Sequence, residues 1–208
     1  MRLAAYAFAA KAECQIGALT NAQLHLRQGT SKTLQEEWYP IARLGMHLKQ
    51  PGLEVEVEAF GDSGVADGRI YEAGFQNREF HIQVTYVHDY EVALRKELMV
   101  SQGFAPGARP IFREKHTGAV LANVSAVDAD HHIRKLSIAL IDSFRKKSAM
   151  SYPFHTSLVL AFDDVKLRGR IHWYELNCSI DLLEGMGGSG FRSMYIVNCA
   201  TNELQQTS

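Results

Sequence analysis

Asp67, Gln83 and Thr85 are the residues whose types and spacing could build one chemical site in this chain. Gln83 follows Asp67 by sixteen positions, and Thr85 lies two positions further on. Two adjacent antiparallel strands joined by a turn need such a separation to bring their side chains together. Asp67 carries a carboxylate, the hard anionic oxygen that Mg²⁺ prefers, whereas Gln83 offers only a neutral carbonyl oxygen. The pattern therefore predicts a shared polar site with a single negative charge.

The elements that must position this site are three short strands. Residues 53–60 alternate between apolar side chains and glutamates, which is the clearest strand pattern in the chain. After a glycine-containing turn, two further strands are predicted around 68–74 and 79–87. Because side chains alternate along a strand, Gln83 and Thr85 share one face of the third strand. The segment therefore predicts an antiparallel meander that presents Asp67 beside this face.

The remaining pattern of helices and strands predicts an α/β fold. The other predicted helices cover residues 4–27, from 31 or 33 to about 49, 89–102, 129–150 and 167–184, and the other predicted strands cover 156–162 and 191–199. Pro40 lacks a backbone N–H and should kink or restart the second helix. We expect an N-terminal helical extension over residues 1–30, a single domain over 31–200 and a frayed polar tail over 201–208.

Composition limits the classes of function. Of the 208 residues 46% are apolar, which is enough for a substantial core, and the formal net charge is −1. A sequence-independent duplex-binding protein is usually basic, so any contact with nucleic acid would depend on a local basic helix. The three cysteines show no metal-binding spacing and favour free thiols in a reducing compartment. The short apolar N-terminus favours a first helix over a signal peptide, and we expect a cytoplasmic protein that does not enter a membrane.

The order of the elements over roughly residues 33–163 resembles the core of the PD-(D/E)XK nuclease-like superfamily. In that family an Asp begins the second strand of the meander, and an acid-x-Lys triplet lies on the third. Here Val65-Ala66-Asp67-Gly68-Arg69-Ile70 resembles the first motif, and Gln83-Val84-Thr85 falls where the second belongs. The resemblance implies a restriction endonuclease-like core, with a mixed central sheet flanked by helices. It also implies a Mg²⁺ site that acts on nucleic-acid phosphodiesters.

The chain departs from the family pattern in its second acid. The resemblance makes Asp67 the metal ligand, whereas Gln83 can serve only as a weak ligand or as a group that orients water. Some family members take an acid from the preceding helix, where Glu36 and Glu37 lie in this chain. The implied metal ligands are therefore Asp67, Gln83 and Glu37.

The chain also departs from the family pattern at the lysine, because Thr85 cannot supply its positive charge. Relocated lysines occur in the family, and Lys146 or Lys147 ends the helix before the buried strand. With Asp67 and Gln83, these two lysines complete the predicted catalytic set. The basic end of this helix is also explained by the helix dipole alone, which favours cations at a C-terminus.

Three hypotheses follow for the function. The first is a divergent nuclease-like enzyme with Mg²⁺-dependent phosphodiester hydrolysis at an atypical site. The second is a catalytically inactive module that keeps the nuclease fold and serves in binding, which Gln83 and Thr85 favour. The third is an unrelated α/β protein in which Asp67 is only a turn former. Separation of Asp67 from Gln83 in the structure would select the third.

Overall fold

The predicted meander lies inside a larger sheet. The computed structural model describes residues 2–61, 65–74, 77–88, 90–106, 110–122, 129–164, 167, 172–178 and 190–207. The strands are β1 (Arg2–Ala4), β2 (Glu54–Ala59), β3 (Gly68–Ala73), β4 (Arg78–Tyr86), β5 (Ile111–Arg113), β6 (Val120–Ala122), β7 (Thr156–Phe162), β8 (Met194–Asn198) and β9 (Glu203–Thr207). The helices are α1 (Ala5–Gly17), α2 (Asn21–Leu26), α3 (Thr30–Thr33), a π-helical turn (Leu34–Trp38), α4 (Tyr39–Leu48), α5 (Tyr90–Gln102) and α6 (Ala129–Ser148). Residues 172–178 are also helical.

A mixed sheet of seven strands forms the centre of the fold, in the order β1-β2-β3-β4-β7-β8-β9. The pairs from β1 to β4 are antiparallel, β4, β7 and β8 run parallel, and β9 returns antiparallel beside β8. Helix α6 lies in the crossover between β4 and β7, as parallel pairing requires. The predicted α/β fold with a mixed sheet, a meander and flanking helices is confirmed.

Close packing at Gly68 fixes the start of β3 against its neighbours. A Cβ atom at this position would lie 2.7 Å from the carbonyl oxygen of Glu58 and 3.0 Å from Cδ1 of Ile41. Any side chain here would therefore push β3 away from β2 or displace helix α4. Gly68 is needed for this close approach. Asp67 directly precedes Gly68 and therefore lies just before the first residue of β3.

The sheet separates two hydrophobic cores. Helices α1 and α4 cover one face, where Ile82 and Val84 of β4 are buried. Helix α6 and residues 172–178 cover the other face over β7 and β8, with Leu140, Phe144, Leu158 and Trp173 among the buried residues. Gln83 is paired with Leu158 of β7 and shares its face. Gln83 therefore faces the α6 side.

The two ends of the chain depart from the predicted organisation. The N-terminal segment is not a separate extension, because β1 pairs with β2, and Phe8 and Ala12 of α1 lie in the main core. The tail is not frayed either, because Glu203–Thr207 pairs with β8 and Leu204 packs on the same core. Strand β1 is too short and β9 is too polar to show strand periodicity. Their pairing depends on the sheet edges that the rest of the fold provides.

The α-helix restarts at Pro40 as predicted, because α4 begins at Tyr39 and holds Pro40 in its first turn. The π-helical turn Leu34–Trp38 lies just before it, and the amide of Tyr39 bonds to the carbonyl of Leu34. This wider turn carries the helix past the missing N–H of Pro40.

The short strands β5 and β6 form a hairpin that packs on α5. Most of the predicted helix 167–184 lies outside the described residues. No helix within the described residues is long and apolar enough to cross a membrane.

Candidate functional site

The side chains of Asp67 and Gln83 meet at the start of β3. Gln83 Nε2 donates to Asp67 Oδ2 at 2.5 Å, and the backbone N–H of Val84 donates to the same oxygen at 2.6 Å. Gln83 Nε2 also lies 3.1 Å from the carbonyl oxygen of Val84, so the amide nitrogen has two acceptors. Gln83 is only 8% exposed. The structure thus brings the two predicted residues into direct contact.

The position of Asp67 follows from the different lengths of β3 and β4. Strand β3 pairs with β4 only as far as Ile82, so β4 extends beyond its neighbour. The amides of His81 and Val87 bond to carbonyls on the β7 side, at 3.1 and 2.7 Å. Successive amides point to alternate sides of a strand, so the amide of Val84 points toward the β3 side. At this level of the sheet β3 has no residue to pair with it. The carboxylate of Asp67 accepts this otherwise unpaired N–H.

The charge of Asp67 is only partly compensated. Burial raises the pKa of Asp67, while the Val84 N–H, the ammonium of Lys147 and the Gln83 amide favour its ionised form. Lys147 is half-buried at the end of α6, whereas Lys146 is exposed. Of the two lysines predicted for the catalytic set, Lys147 is therefore the one whose charge acts on Asp67.

Tyr152 also belongs to this group. Burial and the negative charge of Asp67 both raise the pKa of Tyr152. Its ring packs on Phe191 with centroids 5.0 Å apart. The tyrosine follows the basic end of α6 by five positions, and this spacing from Lys147 was the only signal in the sequence.

Thr85 and Glu37 have different positions relative to Asp67. Thr85 shares the α6-facing side of β4, and its Oγ1 is buried with no hydrogen-bond partner among the described residues. Glu37 lies in the π-helical turn, one helical turn before Ile41, whose side chain packs over Gly68. The role of Glu37 as a ligand stays a prediction.

Glu36 belongs to a second polar cluster, just beyond the C-terminal end of β4. It is 5% exposed, with His88 Nε2 at 3.2 Å and Arg27 Nη1 at 3.9 Å. Arg27 also pairs with Asp163, and Lys96 Nζ lies 3.1 Å from the same carboxylate. Burial alone would raise the pKa of Asp163, but the two cations outweigh it and hold this pKa below its usual range.

This second cluster borders a cavity of about 360 Å³. Asp163 follows Arg27 by 136 positions, so spacing in the sequence could not reveal the group. Arg27 has a left-handed backbone with φ of 48°, which costs a residue other than glycine about 1 kcal/mol. Arg27 and Lys96 match the charges of the two carboxylates of this cluster, Glu36 and Asp163.

The residues at Asp67 fit a weakly bound Mg²⁺ ion. Within the described residues no three His, Cys, Asp or Glu side chains form a metal-binding group. Both hydrogen bonds to the Asp67 carboxylate end on Oδ2, which leaves Oδ1 as its ligand oxygen. Mg²⁺ is commonly held by one or two carboxylates together with water and substrate phosphate. Asp67 supplies one carboxylate, the smallest number in this range, and Gln83 adds a neutral oxygen.

Comparison with known proteins gives no relative from which a function could be transferred. No family model, no curated protein and no solved structure matches this chain. The function must therefore be argued from the site itself.

Proposed function

We propose that this chain is a restriction endonuclease-like domain that hydrolyses nucleic-acid phosphodiesters with Mg²⁺ at an atypical site. One observation carries the proposal: the carboxylate of Asp67 is contacted by Gln83 and stabilised by the charge of Lys147. These groups come from the second and third meander strands and from the end of the crossover helix. The succession of meander, crossover helix α6 and parallel strand β7 supports the same fold assignment.

Each residue of the site has a distinct task in this proposal. Asp67 Oδ1 and the carbonyl oxygen of Gln83 would hold the cation, which when bound activates water and offsets charge on the phosphate. The amide of Gln83 fixes the orientation of the Asp67 carboxylate through its bond to Oδ2. Lys147 supplies the positive charge that Thr85 lacks and favours the ionised form of Asp67. Tyr152 borders the site with a hydroxyl that is protonated at neutral pH, as in any tyrosine, and the raised pKa extends this protonation to higher pH.

Cleavage of labelled DNA and RNA, single-stranded and duplex, in Mg²⁺ or Mn²⁺ tests this proposal. We expect cleavage by the parent and none by Asp67→Asn. Lys147→Met should lower the rate roughly 10²- to 10³-fold, the usual effect of losing one electrostatic contact in a transition state. Lys115→Met, in an exposed turn, is the matched control for losing a lysine. Loss of activity in Lys146→Met with full activity in Lys147→Met would refute the assignment of Lys147.

A non-catalytic binding module is the second candidate function. The bond from Gln83 Nε2 to Asp67 Oδ2 favours it, because a donor contacts the carboxylate where the family pattern has a second acid. This candidate predicts no cleavage of any substrate and no heat of Mn²⁺ binding by calorimetry. Metal binding that appears only in Gln83→Glu would establish it.

We further propose that the protein works in a reducing compartment such as the cytoplasm. Cys14, Cys178 and Cys199 are unpaired thiols. Thiol titration of the freshly isolated protein should count three reduced cysteines.

A further inference from the structure

Phe154 is the most exposed large apolar side chain among the described residues, with 85% of its surface accessible. It lies in the loop that joins α6 to β7, directly after Tyr152 and Pro153. An isolated exposed apolar residue is common and needs no explanation. Phe154 differs because a rigid loop displays it beside the Asp67 site.

Several contacts hold this loop in one conformation. Thr156 Oγ1 donates to the carbonyl of Pro153 at 2.7 Å, and the amide of His81 donates to the carbonyl of His155 at 3.1 Å. The ring of His81 also donates to the carbonyl of Phe154. Arg69 Nη2 lies 3.1 Å from His81 Nε2 and can only donate, so Nδ1 carries the proton of this neutral ring.

The backbone of His155 is strained in the loop that exposes Phe154. Its φ is 62°, a left-handed conformation that is unfavourable for any residue with a Cβ. The turn directs the two rings outward, where Phe154 and His155 pack with centroids 4.0 Å apart. Strain that persists in a surrounding structure able to hold it tends to mark functional positions.

The loop is adjacent to the proposed site. His81 precedes Gln83 by two residues on the same face of β4, a separation of roughly 7 Å along a strand. Tyr152, two residues before Phe154, is close enough to Asp67 for that charge to act on its hydroxyl. Lys146, an exposed cation at the end of α6, precedes the loop. The surroundings thus combine an aromatic surface with positive charge.

We propose that Phe154, supported by His155, stacks on an unpaired nucleobase and so selects single-stranded nucleic acid for the site at Asp67. This inference rests on the proposed function and names its substrate class. An exposed aromatic ring beside cations is the combination by which proteins hold single strands. A duplex keeps its bases stacked on each other and offers no free face to the ring. The ring binds the base while Lys146 contacts a phosphate.

Binding of fluorescein-labelled oligothymidylate to Asp67→Asn, followed by anisotropy in EDTA, tests the proposal apart from cleavage. We expect Phe154→Ala in this background to weaken binding roughly 5- to 150-fold, the range of one base–aromatic contact. Phe154→Trp should bind at least as tightly as the starting protein. Phe104→Ala removes a 62% exposed phenylalanine elsewhere on the surface and serves as the matched control. Circular dichroism should show unchanged melting for Phe154→Ala, because the side chain is exposed.

Two outcomes would overturn the stacking role of Phe154. One is equal affinity of Phe154→Ala and Phe104→Ala for the single strand. The other is equal affinity of the starting protein for the single strand and for a duplex of the same length. These results are independent of catalysis: binding that depends on Phe154 without any cleavage by the parent refutes the nuclease proposal alone. Cleavage of duplex by the parent with full activity in Phe154→Ala refutes the stacking proposal alone.

Discussion

Replacement of Gln83 by glutamate converts the hydrogen bond to Asp67 into a contact between two carboxyl groups. The donor and acceptor atoms lie 2.5 Å apart, and Gln83 is 8% exposed, so the new charge cannot simply turn into solvent. The substitution keeps the size and shape of the side chain. Any loss of stability therefore reports on charge at this position.

The expected loss can be calculated in two ways. Two unit charges about 4 Å apart repel by about 4 kcal/mol at an effective dielectric constant of about 20. Alternatively the pair retains one proton, which at pH 7 costs at most about 3.7 kcal/mol for a glutamate of ordinary pKa about 4.3. Relaxation of the pair and the nearby Lys147 reduce both figures. We expect Gln83→Glu to lower the free energy of unfolding by about 2–4 kcal/mol at neutral pH.

Urea unfolding followed by circular dichroism in EDTA, at pH 8 and pH 5, measures this effect. Since the shared proton is bound more tightly in the folded state than in the unfolded state, the loss should be largest at pH 8 and should fade toward pH 5. Gln206→Glu places the same change at an exposed position of β9 and is the control. When EDTA is left out, Mn²⁺ at a hundred times its Kd should raise the free energy of unfolding of Gln83→Glu by about 2.7 kcal/mol. Equal stability of the two variants at pH 8 would show that Gln83 and Asp67 do not meet.

Three further predictions concern the neighbours of this pair. Asp67→Ala should cost about 1–3 kcal/mol in urea unfolding because the buried N–H of Val84 loses its acceptor, whereas Asp67→Asn should stay within about 1 kcal/mol of the parent. Asp163→Asn should cost about 3 kcal/mol, because the buried Arg27 then keeps its charge without its closest carboxylate. Burial and Arg69 lower the pKa of His81, so the unfolded state binds more protons between that lowered value and 6.5. Stability should therefore decrease as pH falls through this window, and His81→Gln should remove that dependence in unfolding curves measured across it.

Local pattern in the sequence was sufficient for the meander and for the buried strand. Alternation in residues 53–60 predicted β2 because one face of this strand is buried and the other is not. The continuous apolar run at 156–162 predicted β7, all seven residues of which are buried. The edge strands β1 and β9 could not be predicted, since their pairing depends on partners supplied from elsewhere in the chain.

The site shows the same division between local and distant information. Strand geometry brings Asp67 to Gln83, because Asp67 directly precedes β3 and the first residue of β3, Gly68, pairs with Ile82 of β4. The choice of Lys147 over Lys146 depends on the rotation of α6 against β7, which side-chain packing sets across the sheet. The cluster of Arg27, Glu36 and Asp163 forms only when three separate elements converge. The spacing of these residues in the sequence does not predict the cluster.

Strand β4 is the element that joins these observations. It pairs antiparallel with β3 on one side and parallel with β7 on the other, and it continues beyond the start of β3. Beyond the start of β3 the amide of Val84 has no strand partner, and Asp67 caps it. A carboxylate held by the backbone at a gap in a sheet is fixed in place before any ligand arrives. Preorganisation of this kind is what electrostatic catalysis requires. The same bond also explains Asp67 as a structural residue, so cleavage by the parent, lost in the stable Asp67→Asn variant, is the measurement that separates the two roles.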